Sequence, residues 1–81
     1  MIPRVQEATY IRAFVIRISF TDGVKGEVNL EDDLEGEIFE PLRDVSYFRR
    51  FIVHNELHTV TWPNGADFAP EYLYQKVKAA A

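Results

Sequence analysis

The strongest constraint on the fold is an alternation of side chains along the segment Ala13–Phe20. Every second residue of this segment is large and apolar, and these residues are Phe14, Ile16, Ile18 and Phe20. A period of two among β-branched and aromatic residues is typical of a β-strand that turns one face toward a core. The pattern therefore predicts a strand over Ala13–Phe20.

A hairpin is predicted directly after this strand. The sequence Thr21-Asp22-Gly23 favours a tight turn, because glycine readily adopts the positive φ that such turns require. The segment Val24–Leu30 then provides the pairing strand, and Gly26 within it indicates a β-bulge. Together the two segments predict an antiparallel pair.

Three further strands follow from composition and from turn residues. Arg4–Tyr10 is predicted as an edge strand that begins after Pro3. Phe51–His54 and Leu57–Trp62 are predicted as a second hairpin, joined by the two-residue link Asn55-Glu56. The chain therefore offers about five strands.

The helical segments are short until the C-terminus. Residues 31–50 predict two short helical turns, the second capped by Asp44. Pro70–Ala79 predicts a helix with Leu73 and Val77 on its buried side. The sequence thus predicts an α+β fold, with a small antiparallel sheet of about five strands, short helical turns and a C-terminal helix.

Length and composition limit the classes of function. A chain of 81 residues predicts a single domain over residues 1–81. Cysteine is absent, which excludes disulfides and thiol chemistry and favours a reducing, cytoplasmic location. The longest apolar run is four residues, Ala13–Ile16, so we expect no membrane span. The net charge of −4 weighs against direct binding to nucleic acid.

The residue types that carry catalysis or bind metals are not arranged for either task. His54 and His58 are four residues apart, but the predicted hairpin pairs His54 with Leu57, which favours two surface histidines over a metal site. Ser19 and Ser46 lie in a strand and in a helical turn, with no glycine-rich elbow. We therefore expect no enzymatic activity, no metal and no cofactor.

Charge is concentrated in one segment, Glu27–Glu40, which we call the acidic segment. It holds seven acidic residues and no basic one, namely Glu27, Glu31, Asp32, Asp33, Glu35, Glu37 and Glu40. Such a run is commonly a solvated surface. It also suits electrostatic contact with a basic partner, and both interpretations stay open.

The most distinctive motif is Trp62-Pro63-Asn64-Gly65-Ala66-Asp67, followed by Pro70-Glu71-Tyr72-Leu73-Tyr74. The motif closely resembles the signature of a family of small prokaryotic proteins, domain of unknown function 2442. The turn at Phe20–Gly23 and the spacing from Phe39 to Phe48 agree with it in order. The resemblance covers about residues 4–75, nearly the whole chain.

What the resemblance implies about function is limited, because the family has no established biochemical activity. Some members look like the N-terminal part of a longer protein with a helix-turn-helix, and we expect this chain, whose sequence runs to Ala81, to lack that element. Others are encoded beside a second small protein, in an arrangement similar to a toxin–antitoxin pair. This implies an antitoxin-like partner of another small protein.

The signature itself has two interpretations. In the architectural one, Trp62 anchors the last strand against the helix, and Asp67 accepts hydrogen bonds from the turn or the helix start. The second interpretation places Trp62, Asn64 and Asp67 in a recognition surface, since tryptophan is enriched among binding hot spots. Ala69 occupies the position before the helix proline and lacks a side-chain acceptor for capping.

The sequence therefore leads to a non-enzymatic protein-interaction module whose partner is another small protein. Its candidate contact residues are Glu31, Asp32, Asp33 and Glu35 in the acidic segment, together with the signature residues. The alternative is a nucleic-acid-associated regulator that acts through an oligomer or partner, with Arg43, Arg49 and Arg50 as its basic group. Self-association through the edge strand Arg4–Tyr10 is a further expectation.

Overall fold

Three consecutive strands form an antiparallel sheet in the order β1-β2-β3. They are β1 at Val5–Arg12, β2 at Val15–Phe20 and β3 at Lys25–Asn29. These bounds come from a computed structural model, which describes residues 3–80 of the chain. The alternation in the sequence of β2 predicted that one face of the strand packs into the core. Ile16, Ile18 and Phe20 on that face are all buried.

The predicted hairpin between β2 and β3 is confirmed. Gly23 has φ +92° and its N–H donates to the carbonyl of Phe20 at 3.0 Å, which closes the turn. The bulge predicted at Gly26 is wrong, because Gly26 pairs with Ile18 in regular register. Gly26 instead lies close to α2, since a Cβ atom at this position would be 3.0 Å from Cγ1 of Val77, a tighter contact than usual.

The turn between β1 and β2 differs from the sequence prediction. β1 runs two residues beyond the predicted Tyr10, and Ala13 lies in the turn with φ +44° rather than at the start of β2. The register of β1 against β2 shifts between Val5 and Glu7, and again between Tyr10 and Arg12. The irregularities of the sheet therefore lie in its edge strand β1 and not at Gly26.

The remaining two strands form a separate sheet, so the prediction of about five strands in one sheet is wrong. β4 at Ile52–Val53 pairs only with β5 at Val60–Thr61. A single hydrogen bond, from the N–H of Val5 to the carbonyl of His58, joins this hairpin to β1. Among residues 3–80, β1 forms no ladder with β4 or β5, and its register against β2 shifts directly after Val5.

The loop of this second hairpin is longer than the predicted two-residue link. The N–H of His54 donates to the carbonyl of Thr59, which leaves four residues in the loop. Nδ1 of His54 accepts the N–H groups of Glu56 and Leu57, each at 3.1 Å, and His58 adopts φ +56°. The imidazole ring thus acts as the acceptor that stabilises the wider loop.

The segment between the sheets contains short helical turns, as predicted, although there are three rather than two. Two are 3₁₀ turns at Glu31–Asp33 and Glu40–Arg43, and the third is the α-helical turn α1 at Val45–Phe48. Asp44 caps α1 as predicted, because its carboxylate accepts the N–H of Ser46 at 3.0 Å.

The C-terminal helix α2 spans Pro70–Ala80 and packs on β3. Leu73 and Val77 are buried, which confirms the predicted face of this helix. Among residues 3–80, no helix combines the length and the apolar character that crossing a membrane requires.

Both sheets meet in a core centred on the indole of Trp62. Its ring centroid lies 5.6 Å from that of Phe48, 6.1 Å from that of Phe51 and 5.8 Å from that of Phe68. The indole N–H donates to the carbonyl of Phe48 at 2.8 Å, so the one polar group of the side chain is satisfied. Trp62 therefore joins β5, α1 and the segment before α2.

The substitution Trp62→Phe tests this role. It leaves the carbonyl of Phe48 without its donor and removes buried volume, so we expect a loss of about 2–4 kcal/mol in the free energy of unfolding. Urea titration followed by circular dichroism measures the loss. The control is Leu57→Ala, since Leu57 is 53% exposed and its change should stay within about 0.5 kcal/mol. Equal losses in the two variants would contradict the account.

Candidate functional site

The acidic segment lies on the surface because apolar residues within it are held in the core. Leu30 and Leu34 are buried, and the aromatic ring of Phe39 stacks on that of Phe68 with centroids 4.9 Å apart. Asn29 begins the segment's first turn, since its side chain accepts the N–H of Glu31 at 3.0 Å. With Leu30, Leu34 and Phe39 packed inside, every carboxylate of the segment except that of Asp33 is exposed.

A groove of about 540 Å³ opens beside the first 3₁₀ turn. It brings three of the predicted contact residues together, whereas the fourth, Asp33, lies elsewhere. The lining residues are Phe14, Glu31, Asp32, Leu34, Glu35 and Arg43. A lining that combines carboxylates with the apolar side chains of Phe14 and Leu34 is suited to a lysine or arginine side chain, whose stem is apolar and whose end is cationic.

Arg43 is the basic residue of the groove. Its Nε donates to the carbonyl of Leu34 at 2.8 Å, and this bond fixes the second 3₁₀ turn against the first. Arg43 also borders the neighbouring groove of about 370 Å³, together with Gly36, Glu37 and Glu40. The guanidinium thus separates two groups of exposed carboxylates and offsets part of their charge.

Asp33 differs from the other acidic residues of the segment, because its carboxylate contacts α2. One oxygen accepts a hydrogen bond from the hydroxyl of Tyr72, and the other lies 3.1 Å from Nζ of Lys76. The hydrogen bond to the Asp33 carboxylate raises the pKa of Tyr72, since ionised tyrosine cannot donate it. Asp33 thus fastens the acidic segment to the helix.

A second pair of the same kind joins α2 to the β2–β3 hairpin. The hydroxyl of Tyr74 donates to Asp22 at 2.7 Å. This bond lowers the pKa of Asp22, helped by the N–H of Val24, and it raises the pKa of Tyr74. The two tyrosines therefore place α2 between the hairpin and the acidic segment.

The signature turn also contacts the acidic segment. Gly65 has φ +89°, and Asn64 accepts the N–H of Ala66 at 3.1 Å through its side-chain oxygen. The side-chain amide of Asn64 donates to the carbonyl of Ile38 at 2.8 Å. Trp62 is 2% exposed, so its indole is not on the surface. Asn64 thus links the signature to the acidic segment.

Asp67 does not accept the hydrogen bonds expected of it. Its main chain forms an isolated bridge with Thr61, while its exposed carboxylate accepts no hydrogen bond from residues 3–80. At the helix start, the carbonyl of Ala69 accepts the N–H groups of Tyr72 and Leu73. The buried hydroxyl of Thr59 donates to the carbonyl of Phe68 and holds this connection from the other side.

The sequence model of the family described as Protein of unknown function (DUF2442) matches residues 5–79. The chain belongs to this family. The match includes all five strands and α2 up to its penultimate residue. No curated protein and no solved structure matches the chain.

Membership of DUF2442 confirms the resemblance but brings no chemistry with it. Within residues 3–80, no group of three or more His, Asp or Glu side chains is arranged to hold a metal ion. Sequence reasoning missed Arg43 and Phe14 as groove residues and Tyr72 as the partner of Asp33. No local pattern indicated them, because each contact joins residues distant in sequence.

We predict that Asn64 and Asp67 differ in their effect on stability. Asn64→Ala removes two hydrogen bonds and should lower the free energy of unfolding by about 0.5–1.5 kcal/mol. Asp67→Ala is the matched control and should change it by less than about 0.5 kcal/mol. Thermal unfolding of both variants measures the difference. A larger loss for Asp67→Ala would contradict the assignment of the turn contacts.

The tyrosine–aspartate pairs predict a loss of stability at high pH. Because the pKa of Tyr72 and that of Tyr74 are raised above their usual 10.0 in the folded chain, the stabilisation is complete below pH 10 and is lost as the pH rises through the folded values. At the acid end, the lowered pKa of Asp22 gives stability above pH 3.8 that is lost as the pH falls through its folded value.

Urea unfolding across the alkaline range tests this dependence. The parent chain should lose stability above pH 10 more steeply than the double variant Tyr72→Phe/Tyr74→Phe, which lacks the two hydroxyls that are bonded to aspartates. Tyr47→Phe is the control, since the Tyr47 hydroxyl donates no hydrogen bond within the described residues. Parallel alkaline profiles for the parent and the double variant would contradict the prediction.

Proposed function

We propose that the chain is a non-enzymatic protein-interaction module that receives a basic segment of another small protein. The observation that carries the proposal is the groove beside the first 3₁₀ turn, where three exposed carboxylates surround the partly apolar base formed by Phe14 and Leu34. Burial of aliphatic stems on this base would supply affinity, and the carboxylates would supply specificity for positive charge.

The distribution of charge supports the same proposal. Exposed carboxylates of one sign on a single segment create a local negative potential that accelerates encounter with a basic surface. The segment's main chain is held by Leu30, Leu34 and the Asn64–Ile38 bond, so the carboxylates are presented by a fixed backbone. A fixed backbone lowers the entropy lost on binding.

A finer form of the proposal is an antitoxin-like role in the cytoplasm. Its support is the resemblance to family members encoded beside a second small protein, together with the absence of cysteine. In this form the basic segment belongs to the neighbouring protein, and the module would neutralise or escort it.

The alternative, a nucleic-acid-associated regulator, has weaker support. The guanidinium of Arg49 lies 4.7 Å from the ring centroid of Tyr10, and that of Arg50 lies 5.6 Å from that of Tyr47. These arginines already stack on aromatic rings of their own chain, which competes with stacking on bases. A mobility shift at low salt, with and without the protein partner, would favour this alternative if it appeared.

The first experiment is purification of the tagged chain from its native cell at low salt, with mass spectrometry of the proteins that accompany it. We expect one small basic protein in about equimolar amount. Its affinity is then measured by calorimetry at several salt concentrations and should weaken as salt rises.

Charge removal then tests the site. Glu31→Ser/Asp32→Ser/Glu35→Ser should weaken binding of that protein by about tenfold or more at low salt. Asp33 is left intact because it fastens the segment to α2. The matched control, Glu7→Ser/Glu56→Ser/Glu71→Ser, removes three exposed carboxylates elsewhere and should change the affinity by less than about threefold. Unchanged affinity in the first variant would exclude the groove.

A further inference from the structure

The outer edge of β3 has unpaired main-chain groups. The N–H of Phe20 donates to the carbonyl of Val24 at 2.8 Å, and the N–H of Leu30 donates to that of Phe14 at 2.9 Å. With the regular register of β2 and β3, this places the main-chain groups of Gly26 toward β2 and those of Lys25 and Glu27 away from it. The latter groups have no hydrogen-bond partner among residues 3–80.

The other edge of the sheet is protected against pairing. β1 carries two register shifts, and its Val5 N–H already donates to His58 of the second hairpin. Bulges and covering loops are two of the devices by which natural sheets avoid edge-to-edge association. β3 has neither device, and it is a regular strand without proline. The strand expected to mediate self-association, Arg4–Tyr10, is therefore at the edge that is less suitable for pairing with a second copy.

The charges of β3 are complementary when the strand is placed antiparallel to a second copy of itself, because Lys25 and Glu27 lie on either side of Gly26. We propose that the chain forms a two-fold symmetric dimer in which β3 pairs with β3 of a second copy, antiparallel and centred on Gly26. In this register Lys25 lies opposite Glu27 of the second copy, and Glu27 lies opposite its Lys25. These are the residues whose main-chain groups are free, so each pair exchanges two hydrogen bonds and one charge contact.

The inner face of the sheet fits the same register. Val24 lies opposite Val28 of the second copy, on the side where α2 covers the sheet. A groove of about 340 Å³ runs beside this part of the edge, lined by Glu27, Val28, Asn29, Lys76, Ala79 and Ala80. Val24 is only half-buried in the single chain, and the groove of the second copy would take its side chain. Association therefore buries apolar surface on one face and pairs charges on the other.

Glu27 is available for the new contact. Its carboxylate lies 3.9 Å from Arg12, and both side chains of this pair are largely exposed, at 44% and 69%. An exposed ion pair of this length contributes little and is readily exchanged. The proposal is independent of the proposed function, since the edge of β3 lies outside the groove that holds Glu31, Asp32 and Glu35.

Charge exchange tests the register. Sedimentation of the full chain over a dilution series should show a monomer–dimer equilibrium. Lys25→Glu and Glu27→Lys, each alone, should weaken the dimer by about tenfold or more, because like charges then face each other twice. The double variant Lys25→Glu/Glu27→Lys keeps the net charge of −4 and should restore the parent constant to within about threefold.

Glu7→Lys is the matched control for Glu27→Lys, since it makes the same change of charge on β1, and it should leave the dimer unaltered. Amide hydrogen exchange gives a second measurement. The Lys25 and Glu27 amides should be protected only at concentrations where the dimer forms, whereas the Gly26 amide should be protected at all concentrations. Circular dichroism of each variant checks that the fold is retained.

Three results would overturn the proposal. The first is a monomer up to millimolar concentration. The second is a dimer that the single charge variants leave unchanged, or that the double variant fails to restore. The third is a dimer in which the Lys25 and Glu27 amides exchange as fast as in the monomer. Protection of these amides only when a different protein is bound would count as the same result.

Discussion

The hydrogen bond from the indole of Trp62 to the carbonyl of Phe48 is the contact on which the rest of the structure depends. The chain is small and its second sheet has strands of two residues, which cannot hold a hairpin by their own ladder. Trp62 lies at the end of that hairpin and contacts aromatic rings on either side of it in sequence. Phe48, which the indole contacts, also packs against Tyr10 of β1 and against Phe14, so Trp62 and Phe48 together link the two sheets.

The same core determines how the acidic surface is presented. Carboxylates repel each other, so a run of them tends to be solvated and mobile unless other residues fix its main chain. Here Leu30 and Leu34 anchor it from inside, Asp33 connects it to α2, and Asn64 connects it to the signature turn. Residues that look like recognition elements in sequence therefore divide into two groups. Asp33 and Asn64 hold the surface, while Glu31, Asp32 and Glu35 form it.

Local sequence signals accounted for the elements whose contacts are local. The β2–β3 hairpin followed from side-chain alternation and a turn glycine, and α2 followed from Pro70 and the spacing of Leu73 and Val77. The capped turn at Asp44 belongs to the same group. Each of these elements is determined by residues close together in sequence. The hairpin follows a period of two, α2 follows a period of 3.6, and the capped turn has a hydrogen-bond acceptor at its start.

The predictions failed where a side chain or a distant contact decides the geometry. The wider loop at His54 depends on a ring nitrogen that accepts two N–H groups, and the positive φ of Ala13 carries no sequence signal. Which strands share a sheet is decided by contacts between segments that are distant in sequence. Within the candidate site, the sequence indicated the acidic residues but not that Asp33 turns away from them toward Tyr72.

The most direct test is to titrate the isotope-labelled chain with its captured partner and follow the amide resonances. We expect the perturbed amides to form one group around the groove, from Glu31 to Glu35 and at Arg43, while those on the open face of the three-stranded sheet stay unchanged. Perturbations confined to that open face, at Thr9, Arg17 and Ser19, would contradict it.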